Sequence, residues 1–199
     1  MKTALFFLTI LIAQVSFAQE DLLAELNKSS DTSNQLLPPK MLLTQRVLWG
    51  EKGLMRPIIQ LNTANREKEL KVRRAMLVAH QVLGFITLGG MAGQGITGSQ
   101  LYKGNYRNHE IHEIHENLAT AVNISYGATA LMSFFAPPPL INRDKKLSAI
   151  RLHKWLSVVH MAGMIATNVL AENGPKSLHR AAAITTFASF GAAIISIKF

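Results

Sequence analysis

The chain contains no cysteine. That excludes disulfides, cysteine-ligated iron–sulfur clusters and covalent haem attachment through C-x-x-C-H. Acidic residues are scarce, 12 Asp and Glu against 21 Lys and Arg, for a formal charge of +9. Charged residues make up only 17 % of the chain, whereas 48 % is hydrophobic. The basic excess would suit a nucleic acid, but the lysines and arginines cluster beside apolar runs. Such placement reads as membrane topology and lipid-headgroup contact, and nucleic acid is not expected as a partner. No internal sequence repeat is present, and there is no H-E-x-x-H run of the zinc-protease type.

What the chain has instead is four long apolar stretches. They are AMLVAHQVLGFITLGGMAG (75–93), HENLATAVNISYGATALMSFF (115–135), HKWLSVVHMAGMIATNVLA (153–171) and HRAAAITTFASFGAAIISIKF (179–199). Each is roughly 20 residues, the length a helix needs to cross a hydrocarbon core of about 30 Å. The expected fold is all-α: a transmembrane four-helix bundle over 73–199. A signal peptide (1–18) and a short polar and amphipathic segment (19–72) precede it. APPPL (136–140) stops the second span and Asn173-Gly174-Pro175 the third.

The N-terminus joins Lys2, an apolar run from Ala4 to Val15 and the small-residue end Ser16-Phe17-Ala18. This is the layout of a secretory signal peptide with cleavage expected after Ala18, and it places the protein as a multi-pass component of a bacterial inner membrane. Residues 19–39 read as a polar tether, with room for one short helix at Leu22 to Leu26. In Lys40 to Ile59 the charges Arg46, Glu51, Lys52 and Arg56 forbid a span, so an interfacial helix is expected. Asn62 to Asn65 should start a continuous helix of roughly 30 residues. Its charged first half reads as a solvated face.

Every span carries histidine near its N-terminal end, and an ionisable side chain within a span is a functional-site hypothesis by default. At helical spacing His80 shares a face with Gly84, Thr87, Met91 and Gln94, and His160 with Gly163, Met164 and Thr167. His115 aligns with Ala119, Val122 and Tyr126, and His179 with Ala183, Thr186 and Phe190. Small and polar residues belong between helices, so these faces look inward. His80 and His160 each lie six residues beyond a basic residue, Arg74 and Lys154, at matching depth. His115 and His179 begin spans two and four, near the opposite side. Two histidine pairs, one near each membrane face, suit two bis-histidine haems in a four-helix bundle. His153 lies two turns before His160 on the same face. Depth favours His160 as the ligand. His153 then becomes a hydrogen-bond partner for a propionate or an electron donor, or snorkels beside Lys154 and Trp155. Ahead of span two, HEIHEIHE (109–116) offers His109, His112 and His115 at i, i+3 spacing, a second candidate metal site for zinc or copper.

This pattern resembles the cytochrome b561 family of transmembrane electron-transfer proteins. His80 followed by Gln-x-Leu-Gly and His153 followed by Lys-Trp-Leu are similar to the phrasing of its members. The resemblance covers residues 75–199. It implies two b-type haems, His80 paired with His160 and His115 with His179, and electron transfer across the bilayer between a donor and an acceptor of unspecified identity. Additional flanking helices and a recognisable ascorbate motif are missing. Two other readings stand beside the di-haem oxidoreductase: a cofactor-free structural or assembly subunit of a membrane complex, and a metal-handling protein that uses His109, His112 and His115.

Overall fold

The computed structural model describes residues 36–104, 109–139 and 149–198. The expected signal peptide and the tether up to residue 35 lie outside the described residues. Among the described residues the protein is all-α, with five helices and no strand. They are α1 (Leu43–Trp49), α2 (Thr63–Tyr102), α3 (His109–Phe134), α4 (Ala149–Asn173) and α5 (Lys176–Lys198). Two of them, Thr63–Tyr102 and Lys176–Ile197, are long and apolar enough to cross a membrane.

The chain forms two compact units. One contains residues 36–73 with 137–139, the other residues 74–136 and 149–198. In the first, α1 spans only seven residues of the expected interfacial stretch, and the rest is turns. Gly50 ends α1 by donating its N–H to Arg46 O at 3.0 Å, and a Cβ there would collide with that same carbonyl. Asn62 caps α2, its side-chain oxygen accepting the Asn65 N–H at 2.8 Å.

The charged start of α2 is a solvated face on one side only, where Lys68 and Lys71 are exposed. Arg66 and Glu69 are among the most deeply buried side chains, at 1 % and 2 % exposure. Glu69 accepts from Arg66 Nη1 at 2.7 Å and from Arg56 Nη1 at 2.5 Å. The remaining guanidinium donors reach backbone carbonyls. Arg66 bonds Leu36 O at 3.0 Å, Pro138 O at 2.8 Å and Pro139 O at 3.2 Å. Arg56 bonds Gly50 O, Ile59 O and Trp49 O. Every buried donor therefore finds an acceptor, which is the condition for tolerating charge in an interior. Burial lowers the Arg66 pKa below its ordinary value, opposed by the hydrogen bond and charge of Glu69.

In the second unit the helices alternate in direction. α2 meets α3 antiparallel through His80 with Thr129, Thr87 with Ser125, Gly90 with Val122, and Thr97 with His115. α3 meets α4 through Tyr126 with His160 and through the reciprocal amide pair of Asn123 and Asn168. α4 packs along α5, with Thr167 beside Thr186 and His153 beside Ala193. Arg180 stacks its guanidinium 4.5 Å from the Tyr102 ring centre, joining α5 to the end of α2. The core is Met91, Val122, Met164 and Phe190, one residue from each helix. Each is the inward residue of its stripe.

α2 extends to 40 residues rather than about 30, because Gly95 and Gly98 do not break it. It stops at Gly104, whose φ of +108° no side-chain-bearing residue adopts readily. α3 and α4 fall short of the apolarity that marks α2 and α5. The cause is polar side chains within their lengths, among them Asn123, Ser125, Tyr126, His160 and Asn168. All of these take part in hydrogen bonds between these helices or with α2.

Candidate functional site

All the singled-out histidines belong to the second unit. The His/Glu run forms the first two turns of α3. There His109 and His112 are exposed, and His112 Nδ1 lies 3.5 Å from Glu116. Among the described residues no group of three or more His, Asp or Glu side chains is arranged to hold a metal ion.

The other five histidines point inward, and each is held by Nδ1. His80 Nδ1 lies 2.8 Å from Thr129 O, His153 Nδ1 2.9 Å from Ala193 O, and His179 Nδ1 2.9 Å from Thr167 O. A carbonyl only accepts, so in all three the proton sits on Nδ1 and the lone pair on Nε2. His115 Nδ1 lies 2.8 Å from Thr97 Oγ1. That hydroxyl also lies 3.1 Å from Gly93 O and 3.3 Å from Gln94 O, carbonyls that can take its proton while it accepts from the histidine. The fifth differs. His160 Nδ1 faces the Tyr126 hydroxyl at 2.7 Å, and that hydroxyl has no other partner among the described residues. A phenol hydroxyl both donates and accepts, so this contact is made with the His160 proton on either ring nitrogen.

Packing separates the same residues. The rings of His80 and His153 meet edge-on with centres 6.1 Å apart. His115 and His179 lie within electrostatic reach of each other. His160 is buried, its ring edge-on to Tyr126 at 5.7 Å and to Phe190 at 5.0 Å. It lies within electrostatic reach of both His80 and His153. The structure thus brings His80 beside His153 at one end of the helices and places His115 and His179 within electrostatic reach at the other. Counting along α4, His160 falls between them.

A bis-histidine metal centre has a simple geometric requirement. Two imidazoles bound on opposite sides of one ion, with bonds of about 2 Å, hold their ring centres roughly 6 Å apart. The 6.1 Å of His80 and His153 matches that spacing, and the Nδ1–H donors of His80, His153 and His179 leave the lone pair on Nε2. An open groove of about 370 Å³ lies beside Tyr126, Met161, Met164, Ile165, Asn168 and Val169, and no histidine lines it.

Sequence reasoning missed the residues that hold the rings. Thr129, Ala193 and Thr167 act through backbone carbonyls, which no side-chain pattern reveals. Thr97 and Gly98 lie one turn past Gln94 at the end of the inward stripe on α2, so extending that stripe would have found them. No protein-family model, curated protein or solved structure matches this chain.

Proposed function

We propose that the second unit is a four-span transmembrane bundle of a multi-pass inner-membrane protein. Its function is that of a b-type cytochrome passing electrons between two bis-histidine haems, as in the cytochrome b561 family. The ligand pairs in this reading are His80 with His153, and His115 with His179. One observation carries this reading: four histidines from alternating helices, gathered two by two, each with Nδ1 tied down and Nε2 left as the binding nitrogen.

Bound haem supplies a one-electron centre, and six-coordinate ligation suits electron carriage. The residues do the rest. Carbonyl acceptors on Thr129, Ala193 and Thr167 fix the ring orientation and make each imidazole a stronger base toward iron. We propose His153 rather than His160 as the partner of His80 because its ring is the one in edge-on contact and its Nδ1–H donates to a carbonyl. The polar residues of α3 and α4 bond across helix pairs, the arrangement by which less apolar helices can lie within a bilayer.

Purification with haem supplied, followed by reduced-minus-oxidised spectroscopy, tests the reading. Two haem signals are expected. His80→Ala and His153→Ala should lose the same one, His115→Ala and His179→Ala the other, and His160→Ala neither. Loss on His160→Ala but not on His153→Ala would return the ligand role to the residue favoured by depth. A folded, colourless protein would leave the cofactor-free subunit as the reading, since these hydrogen bonds also hold helices together without metal.

A further inference from the structure

Three residues on one turn of α2 converge on His115. Gln94 Nε2 donates to its backbone carbonyl at 2.6 Å, and Thr97 Oγ1 lies 2.8 Å from its Nδ1. Gly98 lets the ring close in, since a Cβ at this position would stand 3.1 Å from His115 Cε1. The contact is tight enough that an added methyl must displace the ring or the helix. His80, His153 and His179 are oriented by backbone carbonyls, so among the four His115 alone has its tautomer set by a side chain.

We infer that Thr97 is the positioning residue of His115. Through its hydroxyl it holds the imidazole as the Nδ1-protonated tautomer, with Gly98 giving the ring its place. The inference rests on the cytochrome reading and goes beyond it, because it names what tunes one of two centres independently of the other. A hydrogen bond from Nδ1–H enriches the imidazole and favours the oxidised iron. A hydroxyl already engaged as a donor is the acceptor here, and replacing it with a methyl removes the bond while keeping the β-branched shape.

The test is a spectroscopic redox titration of the purified, haem-loaded protein and its variants. Thr97→Val should raise the midpoint potential of the haem assigned to His115 and leave the other unchanged, and Thr97→Ser should restore it. Gly98→Ala should lower occupancy of that same haem. A threonine with a merely structural role would move the melting temperature and not one of two potentials. If the wild type binds two haems and Thr97→Val changes neither potential nor occupancy, this inference fails and the cytochrome reading stands. The inference also fails if Thr97→Val and Thr97→Ser perturb both haems alike. A wild type that binds no haem defeats both.

Discussion

Glu69 sits at 2 % exposure between two guanidiniums, and its carboxylate is their shared counter-charge. Removing one partner of a buried ion pair strands the other, at a cost of about 3–5 kcal/mol. Glu69→Gln keeps the volume and removes the charge, so it should lower thermal stability in detergent and expose residues 36–73 to protease. An unchanged melt would show that the carboxylate is dispensable. The sequence could not reveal this network. Arg56, Arg66 and Glu69 sit among Glu67, Lys68, Lys71 and Arg73, and composition alone does not distinguish the three that turn inward. Their partners are largely backbone carbonyls of Leu36, Trp49, Gly50 and Pro138, set by the path of the chain. The histidines were legible as residue types and as inward-facing positions. Which nitrogen of each is bonded, and that His80 meets the ring of His153, was not.

At the level of helices, close approach depends on glycine. A Cβ on Gly163 would collide with Thr186 Oγ1 across the α4–α5 contact, and one on Gly90 would stand 2.6 Å from Val122 Cγ2 across α2–α3. Overpacking costs about 1–3 kcal/mol, while alanine returns up to about 1 kcal/mol of helix propensity over glycine. Gly163→Ala should therefore destabilise the protein by at most about 2 kcal/mol. In the Thr186→Ala background the same change should be neutral or stabilising. Additive effects in that double-mutant cycle would place the two residues out of contact. The inward stripes were readable because Thr87, Met91, Met164, Thr186 and Phe190 recur at helical spacing, and all of them are buried. The spans of α3 and α4 were harder to judge. Asn123 and Asn168 lower their apolarity in sequence, yet each is the other's hydrogen-bond partner.

For the molecule as a whole, two physical signals set the orientation and they disagree. A cleaved export signal would deliver the N-terminal segment outside. That side would also carry Arg66, Lys68, Lys71, Arg73, Arg74, Arg143, Lys145, Lys146, Arg151, Lys154 and Lys198. Only Lys103, Arg107, Lys176 and Arg180 would then face the cytoplasm, against the positive-inside bias. The bias is statistical, whereas an export signal acts directly on the residues that follow it. We expect the N-terminal segment and the loop before α4 to be periplasmic. Reporter fusions at Asn142 and Asn173 check this, and cytoplasmic activity at Asn142 with periplasmic activity at Asn173 would reverse it. The pairing of histidines is indifferent to the outcome, because it depends only on alternation.

Arg66 has one more consequence, and it concerns time. Its guanidinium bonds Leu36 on one side and Pro138 on the other, residues separated by the whole α2–α3 hairpin. During synthesis the arginine emerges long before its second partner does. It waits as an open latch until α3 has been made and the chain has returned to its starting side. A polypeptide halted before residue 137 can never close that latch, so it leaves Arg66 short of two acceptors and Arg73 short of the Pro137 carbonyl it bonds at 2.6 Å. The completed first unit is in this sense a receipt for a finished hairpin.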